Sequence, residues 1–211
     1  MSYFLKNIAN FFTIFRILLA PIFFILFINK LYIFAFLCFF IASLTDILDG
    51  YLARKYNIIS NFGKFYDPLA DKILIFFAFI CILINPPFIL NNPPLYNWRI
   101  ILLYFPLMAI VSRDFLITFL RQKLKNKNII LKANFLGKTK TVFQLLFIHI
   151  YLLEFMLMDL NLEYNFGVVK VTILIPMILG IIFLLFQFMA FLFSLLSGLV
   201  YFLKIRKILF Q

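Results

Sequence analysis

Six stretches of this chain stay apolar over the length an α-helix needs to cross about 30 Å of hydrocarbon, about 17 to 25 residues at 1.5 Å each. They fall at roughly 11–28, 31–52, 66–86, 99–120, 140–158 and 171–203. Helices close their own backbone hydrogen bonds, which a bilayer interior requires. The chain therefore reads as an all-α polytopic integral membrane protein, a six-transmembrane-helix bundle forming a single domain over 1–211. Composition agrees: 65% of the residues are hydrophobic and 13% charged, far from a soluble mixture.

Local signals set the details of this expectation. The last run is too long for one simple span, so Pro176 or Gly180 is expected to mark a kink or a late start. Paired prolines in NPPFILNNPPLYN (85–97) predict an external turn that closes one hairpin. Residues 1–9 (MSYFLKNIA) lack the small-residue cleavage site of a signal peptide, so a short interfacial helix is expected there, with no cleaved leader.

Orientation follows from the basic residues between spans. Arg54, Lys55 and Lys64 lie in the second connection, Arg121 to Lys140 fill the fourth, and Lys204, Arg206 and Lys207 follow the sixth run. The other loops carry only Lys30, Arg99 and Lys170 at their edges, so both termini are expected on the cytoplasmic side. A net charge of +12 could point to nucleic acid. These cations adjoin membrane spans instead, where anionic headgroups or a phosphorylated substrate account for them better.

Two minor features carry no chemistry. Cys38 and Cys81 lie mid-span on different helices and read as packing residues, not as a disulfide or a metal site. His149, the sole histidine, lies inside the fifth span with no acidic or thiol partner at ligand spacing, and reads as a helix contact.

The acidic residues behave differently. Four of the eight fall between Asp46 and Asp71, in TDILDGYLARKYNIISNFGKFYDPLADK. Counted from Leu31, Asp46 lies roughly 22 Å along the second span, and Asp71 lies roughly 21 Å from the far end of the third. Asp46 and Asp49 are three apart, and Asp67 and Asp71 four apart, so each pair projects from one helix face. Two adjacent antiparallel helices would bring four carboxylates to one point at matched depth. Such a cluster needs protons or cations, and oxygen ligands suit Mg²⁺ or Mn²⁺. Beside it, Gly50 and Ala53 leave bare backbone for close approach, and Arg54 offers a planar fork for phosphate oxygens. Gly63 stands where the helix restarts. Solvated helix caps, such as Asp67 before Pro68, would explain one or two of these acids and leave the rest unaccounted for.

Asp46, Asp49–Gly50, Ala53–Arg54, Gly63, Asp67 and Asp71 match the signature of the CDP-alcohol phosphatidyltransferase family at every position, and the chain resembles that family. The resemblance implies that Asp46, Asp49, Asp67 and Asp71 hold two divalent cations and that Asp71 is also the general base toward an acceptor hydroxyl. It further implies that Gly50, Ala53 and Arg54 receive the CDP headgroup. The reaction would displace CMP from a CDP-linked lipid, two metals clamping the attacking and leaving oxygens.

The acceptor must be chosen by other residues. VSRDFLITFLRQ (111–122) places Arg113 and Asp114 within the fourth span, and LGKTKTVFQ (136–144) brings Lys138, Lys140, Thr141 and Gln144 to the same membrane face. A cationic cluster there suits an acceptor that is a phosphate ester. NIANFFTIFR (7–16) puts Asn10, Thr13 and Arg16 on one face, with Arg16 deep enough to need the aspartates or a substrate phosphate as partner. These segments, with SLLSGLVYFLK (194–204), are similar to the phosphatidylglycerophosphate synthase branch. Ala9 where that branch often has proline, and Asp114 for the usual glutamate, are departures outside the metal signature. That branch implies CDP-diacylglycerol and sn-glycerol 3-phosphate as substrates, the inner cell membrane as location with the site on its cytoplasmic side, and a homodimer. The runner-up within the family is a cardiolipin, inositol phosphate or serine enzyme. Outside it stands a divalent cation transporter, which would have no obvious use for Arg54.

Overall fold

The structure is a computed structural model in which residues 2–55, 61–91, 94–125, 135–160 and 171–209 are described, with side chains for 11–46, 69–91, 94–124, 135–160 and 174–206. All regular structure among them is helical. Long helices α1 (Ser2–Ile28), α2 (Tyr32–Lys55) and α3 (Asn61–Ile84) precede a short α4 (Phe88–Asn91), and α5 (Phe105–Lys125), α6 (Phe135–Asp159) and α7 (Val171–Leu209) follow. Among the described residues five stretches are long and apolar enough to cross a membrane: Phe11–Ile28, Leu69–Asn91, Ile100–Leu124, Phe135–Asp159 and Leu174–Arg206. In α2 the described side chains, Tyr32–Asp46, form a further, shorter apolar stretch.

The described residues form two compact units, the first made of Met1–Pro87 with Tyr151–Pro176, the second of Phe88–Ile150 with Met177–Gln211. In the first, α1 packs against α2 and α3. The face of α1 that does so follows helical spacing: Thr13, Arg16, Ala20, Phe23 and Phe27 are buried, while Phe11, Leu18, Ile22 and Ile25 point outward. Fully buried Ala20, Ala35, Ala42, Ala70 and Ala78 are small enough to let the three helices approach closely. The turn from α1 to α2 is tight. Leu31 N bonds back to Leu26 O and Lys30 N to Phe27 O, with Lys30 in the left-handed region at φ 61°, which caps the carbonyls at the end of α1.

Beyond that turn an aromatic cluster of Phe27, Tyr32, Tyr151 and Phe155 fills the unit, with ring centroids 5.0–5.7 Å apart. The Tyr151 hydroxyl lies 2.9 Å from Cys81 O, which also accepts from Asn85 N, and 2.8 Å from Asn85 O just past the end of α3. Cys38 and Cys81 are both buried here, and His149 contacts Leu145 O of its own helix at 2.8 Å.

In the second unit α7 presents one buried stripe, Phe183, Gln187, Ala190, Ser194, Ser197 and Tyr201, spaced by three and four residues. The stripe is apolar at its start and polar toward its end. Phe183 meets Phe147 of α6 edge to face, and Gln187 Nε2 donates to Leu103 O in a π-helical turn at Ile100–Tyr104. Gly180 is a point of close approach: a Cβ there would lie 2.6 Å from Ile89 Cγ2.

Three sequence expectations change. The chain before residue 10 is no separate interfacial helix, since α1 runs unbroken from Ser2. NPPFILNNPPLYN holds α4 and a 3₁₀ turn, Leu95–Trp98, because a proline pair that ends one helix is tolerated in the first turn of the next. Pro176 does not delay α7, which begins at Val171 and continues through it.

Candidate active site

The first unit gathers the buried polar residues of α1 toward α2 and α3. Arg16 is 0% exposed, and its Nη1 lies 2.8 Å from Asp46 Oδ1 and also donates to Asp71 Oδ1. One guanidinium nitrogen is thus bracketed by carboxylate oxygens from two helices. The aspartate side chains stay 39% and 41% exposed, so the corner is closed on the arginine side and open on the other. Small neighbours make this possible: Ala70 and Ala42, 0% exposed, let α3 and α2 come close to α1. Thr13 and Thr45 are buried on the same helices, the latter donating to Ala42 O at 2.7 Å.

Asp49, Gly50, Ala53 and Arg54 fall in α2, and Gly63 and Asp67 in α3, outside the residues whose side chains are described. Their helical placement still matters. Asp49 follows Asp46 by three residues and Asp67 precedes Asp71 by four, all inside continuous helix. Pro68 lies seven residues into α3, so Asp67 does not start that helix. Among the described residues no three His, Cys, Asp or Glu side chains gather at one point. Asp46 and Asp71 alone already fit a hard divalent cation. They offer oxygen donors from two helices around a single positive centre, for which the Arg16 nitrogen is the stand-in.

The second unit holds the mirror arrangement. Asp114 lies between two cations, with Arg113 Nη1 3.0 Å from its Oδ1 and Lys140 Nζ on its Oδ2. Lys140 is 4% exposed. Arg113 also donates from Nη2 to Ser197 Oγ of α7, and its stem runs past Gly198, where an added Cβ would sit 3.6 Å from Arg113 Cγ. Gly137 completes the fit, its absent Cβ 3.4 Å from Ser197 Oγ. Arg121, two turns further along α5, donates to the Tyr201 hydroxyl and stacks 4.9 Å over that ring.

One turn beyond Lys140 on α6, Gln144 is 1% exposed, and neither its amide oxygen nor its nitrogen has a partner. The same is true of Ser194 Oγ, one turn before Ser197. Buried polar groups are rarely left open in this way.

The structure therefore joins Arg113, Asp114 and Lys140 but not Lys138, which lies on the exposed face of α6. Arg16 is found with the aspartates. Ser197, Tyr201 and Arg121 are partners that the spans alone did not announce, although Ser194, Ser197 and Tyr201 share a helical face. Thr141, exposed, donates to Gly137 O of its own helix.

Comparison with known proteins places these features in context. A family model described as CDP-alcohol phosphatidyltransferase matches residues 6–202. A Rickettsia typhi protein named CDP-diacylglycerol–glycerol-3-phosphate 3-phosphatidyltransferase is 36% identical over 155 residues, 71% of this chain and 78% of the relative. A Bacillus subtilis protein of the same name is 37% identical over 163 residues, covering 70% and 77%. A third, from Blochmanniella floridana, is 38% identical over 146 residues, covering 66% and 70%.

Proposed function

The chain belongs to the CDP-alcohol phosphatidyltransferase family, and we propose that it transfers the phosphatidyl group of CDP-diacylglycerol to sn-glycerol 3-phosphate, giving phosphatidylglycerol phosphate and CMP. The names of its relatives support both substrates. The observation that carries the choice of acceptor is the charge around Asp114. One carboxylate between Arg113 and Lys140 leaves a surplus positive charge, to which Arg121 adds. A phosphate monoester, with about 1.5 to 2 negative charges at neutral pH, balances that surplus. Free serine or inositol does not.

In this reading Asp46, Asp49, Asp67 and Asp71 would hold two divalent cations, Mg²⁺ or Mn²⁺, whose positive charge would favour displacement of CMP by the acceptor hydroxyl. Asp71 takes the proton of the acceptor hydroxyl, a role its partial exposure permits. Gly50 and Ala53 give the cytidine headgroup room, and Arg54 pairs with its diphosphate. Arg113 and Lys140 fix the acceptor phosphate, and the open amide of Gln144 and hydroxyl of Ser194 are suited to the glycerol hydroxyls. Lys138 stays at the rim. The diacylglycerol chains remain in the bilayer, which explains why this phosphatidyl transfer needs a membrane-embedded enzyme.

The topology belongs to the same proposal: α2 counts as the sixth span, both termini face the cytoplasm, and the site opens on that side of the cell membrane. Positive residues flanking those ends support it. A homodimer, implied by the family, is included and is checked by cross-linking in intact membranes. The central experiment measures CMP release from CDP-diacylglycerol by purified protein with Mg²⁺ or Mn²⁺. Release is expected only when sn-glycerol 3-phosphate is added. Equal release with phosphatidylglycerol as acceptor would overturn the assignment in favour of a cardiolipin synthase.

A further inference from the structure

Arg16 and a divalent cation compete for one place. Nη1 of Arg16 sits between Asp46 Oδ1, at 2.8 Å, and Asp71 Oδ1. A cation held by the same two oxygens on the arginine side would meet that nitrogen. The arginine is 0% exposed and charged at every accessible pH, so it cannot leave the conflict by losing a proton. We propose that Arg16 is a resident counter-cation: it holds Asp46 and Asp71 together in the metal-free protein and gives up the Nη1 position when a divalent cation loads. This rests on the reading of Asp46 and Asp71 as metal ligands.

The physical case has two parts. Two carboxylates on neighbouring helices repel each other in a low-dielectric setting, so an empty site would push α2 and α3 apart. A positive group supplied by α1 removes that repulsion and keeps both ligands aimed at one point. The second part concerns the loaded state. Four carboxylates against one guanidinium carry three negative charges, which two divalent cations turn into one positive. The displaced Arg16 therefore leaves the loaded site cationic, the right sign for an incoming diphosphate. Without Arg16 the loaded site would be neutral.

The test uses Arg16→Gln, which keeps a polar side chain, shorter by two bonds, and removes the charge, with Arg16→Lys as the charge-retaining partner and Asp46→Asn as the ligand control. Each is purified as the full chain in nanodiscs. Thermal unfolding is read in chelator and at saturating Mn²⁺, and free Mn²⁺ is titrated by electron paramagnetic resonance. Arg16→Gln is expected to unfold several degrees below the parent in chelator, to recover most of that loss with Mn²⁺, and to bind Mn²⁺ on the order of tenfold more tightly. Arg16→Lys is expected to stay near the parent in both.

A loss in Arg16→Gln that is equal with and without Mn²⁺ would mean plain structural support and would overturn the proposal. Weaker Mn²⁺ binding in Arg16→Gln would do the same, as would Arg16→Lys behaving like Arg16→Gln. Should Arg16→Gln fail to fold, the proposal stands on Arg16→Lys with parent-like stability and affinity, and falls if that variant has lost either. Absent Mn²⁺ binding by the parent, or parent-like binding by Asp46→Asn, would instead overturn the metal reading itself and the proposal with it.

Discussion

One unit of this molecule sets a single arginine between two carboxylates, and the other sets a single carboxylate between two cations. Both corners bury their central charge or one of its partners, and the described side chains leave each of them charged. The signs are opposite. A buried ion pair that is merely structural tends toward neutrality, because each unpaired charge in a low dielectric costs several kcal/mol. Two clusters that are each left charged are better understood as open to a ligand, the first to cations and the second to an anion.

The comparison breaks first at Asp71. Asp71→Asn keeps the shape of the side chain but removes the base and one negative charge. CMP release is expected to fall by about a thousandfold or more, in the range of losing a positioned base together with a metal ligand. Binding of CDP-diacylglycerol is expected to persist, measured with radiolabelled donor, because Asp46, Asp49 and Asp67 remain. Full turnover would show that the acidic corner is not a reaction centre.

The cationic corner is expected to respond in a different parameter. Arg113→Ala removes the guanidinium that reaches Asp114 and Ser197 together. The KM for sn-glycerol 3-phosphate is expected to rise about 10- to 100-fold, equivalent to about 1.4–2.7 kcal/mol of charge-assisted bonding, with the KM for CDP-diacylglycerol unchanged. Initial-rate kinetics with each substrate varied in turn separate the two. An equal rise in both constants would erase the distinction between the corners.

These two corners were legible in the sequence to different degrees. For the acidic one, spacing on two helices fixes which side chains share a face and depth along each span suggests where the faces meet. Asp46 and Asp71 do meet, at Arg16, while Asp49 and Asp67 lie outside the described side chains. Only Arg16 stood between two destinations, and the structure resolves that by bringing Asp46 and Asp71 to its Nη1. The cationic corner was readable as a set of charges but not as a geometry. Its decisive contacts, Arg113 to Ser197 and Arg121 to Tyr201, join residues more than seventy positions apart. Such pairs depend on the packing of α5 against α7, which no local pattern encodes. Helix ends were harder still. The unbroken start of α1 and the helical turns within the proline-rich connection turn on a few residues, where capping and tertiary packing override local breakers.

Gln144 tests whether the cationic corner extends inward. Gln144→Leu replaces a buried amide without partners by an apolar group of similar volume, so stability is expected to hold or rise by up to about 1 kcal/mol. If that amide serves an acceptor hydroxyl, the KM for sn-glycerol 3-phosphate rises about tenfold, while an acceptor lacking the secondary hydroxyl, 1,3-propanediol phosphate, is used as well as by the parent. Equal effects on both acceptors would confine the corner to Arg113, Lys140 and the residues they touch.

The smallest effect is expected at Lys138, and its size decides how sharply the corner is bounded. Lys138 and Lys140 are two residues apart on α6 and therefore on different faces. Lys140 is 4% exposed and bonded to Asp114, whereas Lys138 faces outward, where water and salt screen its charge within about 10 Å. Lys138→Ala is expected to change the acceptor KM by less than about twofold, whereas Lys140→Ala changes it tenfold or more, because a lost surface charge contributes a few tenths of a kcal/mol. The gap between the two should persist in 0.5 M NaCl, since the buried lysine is shielded from ions that already neutralise the exposed one. Equal losses for Lys138→Ala and Lys140→Ala would mean that the acceptor is drawn in by net charge over the whole basic surface, and that the pairing around Asp114 is structural.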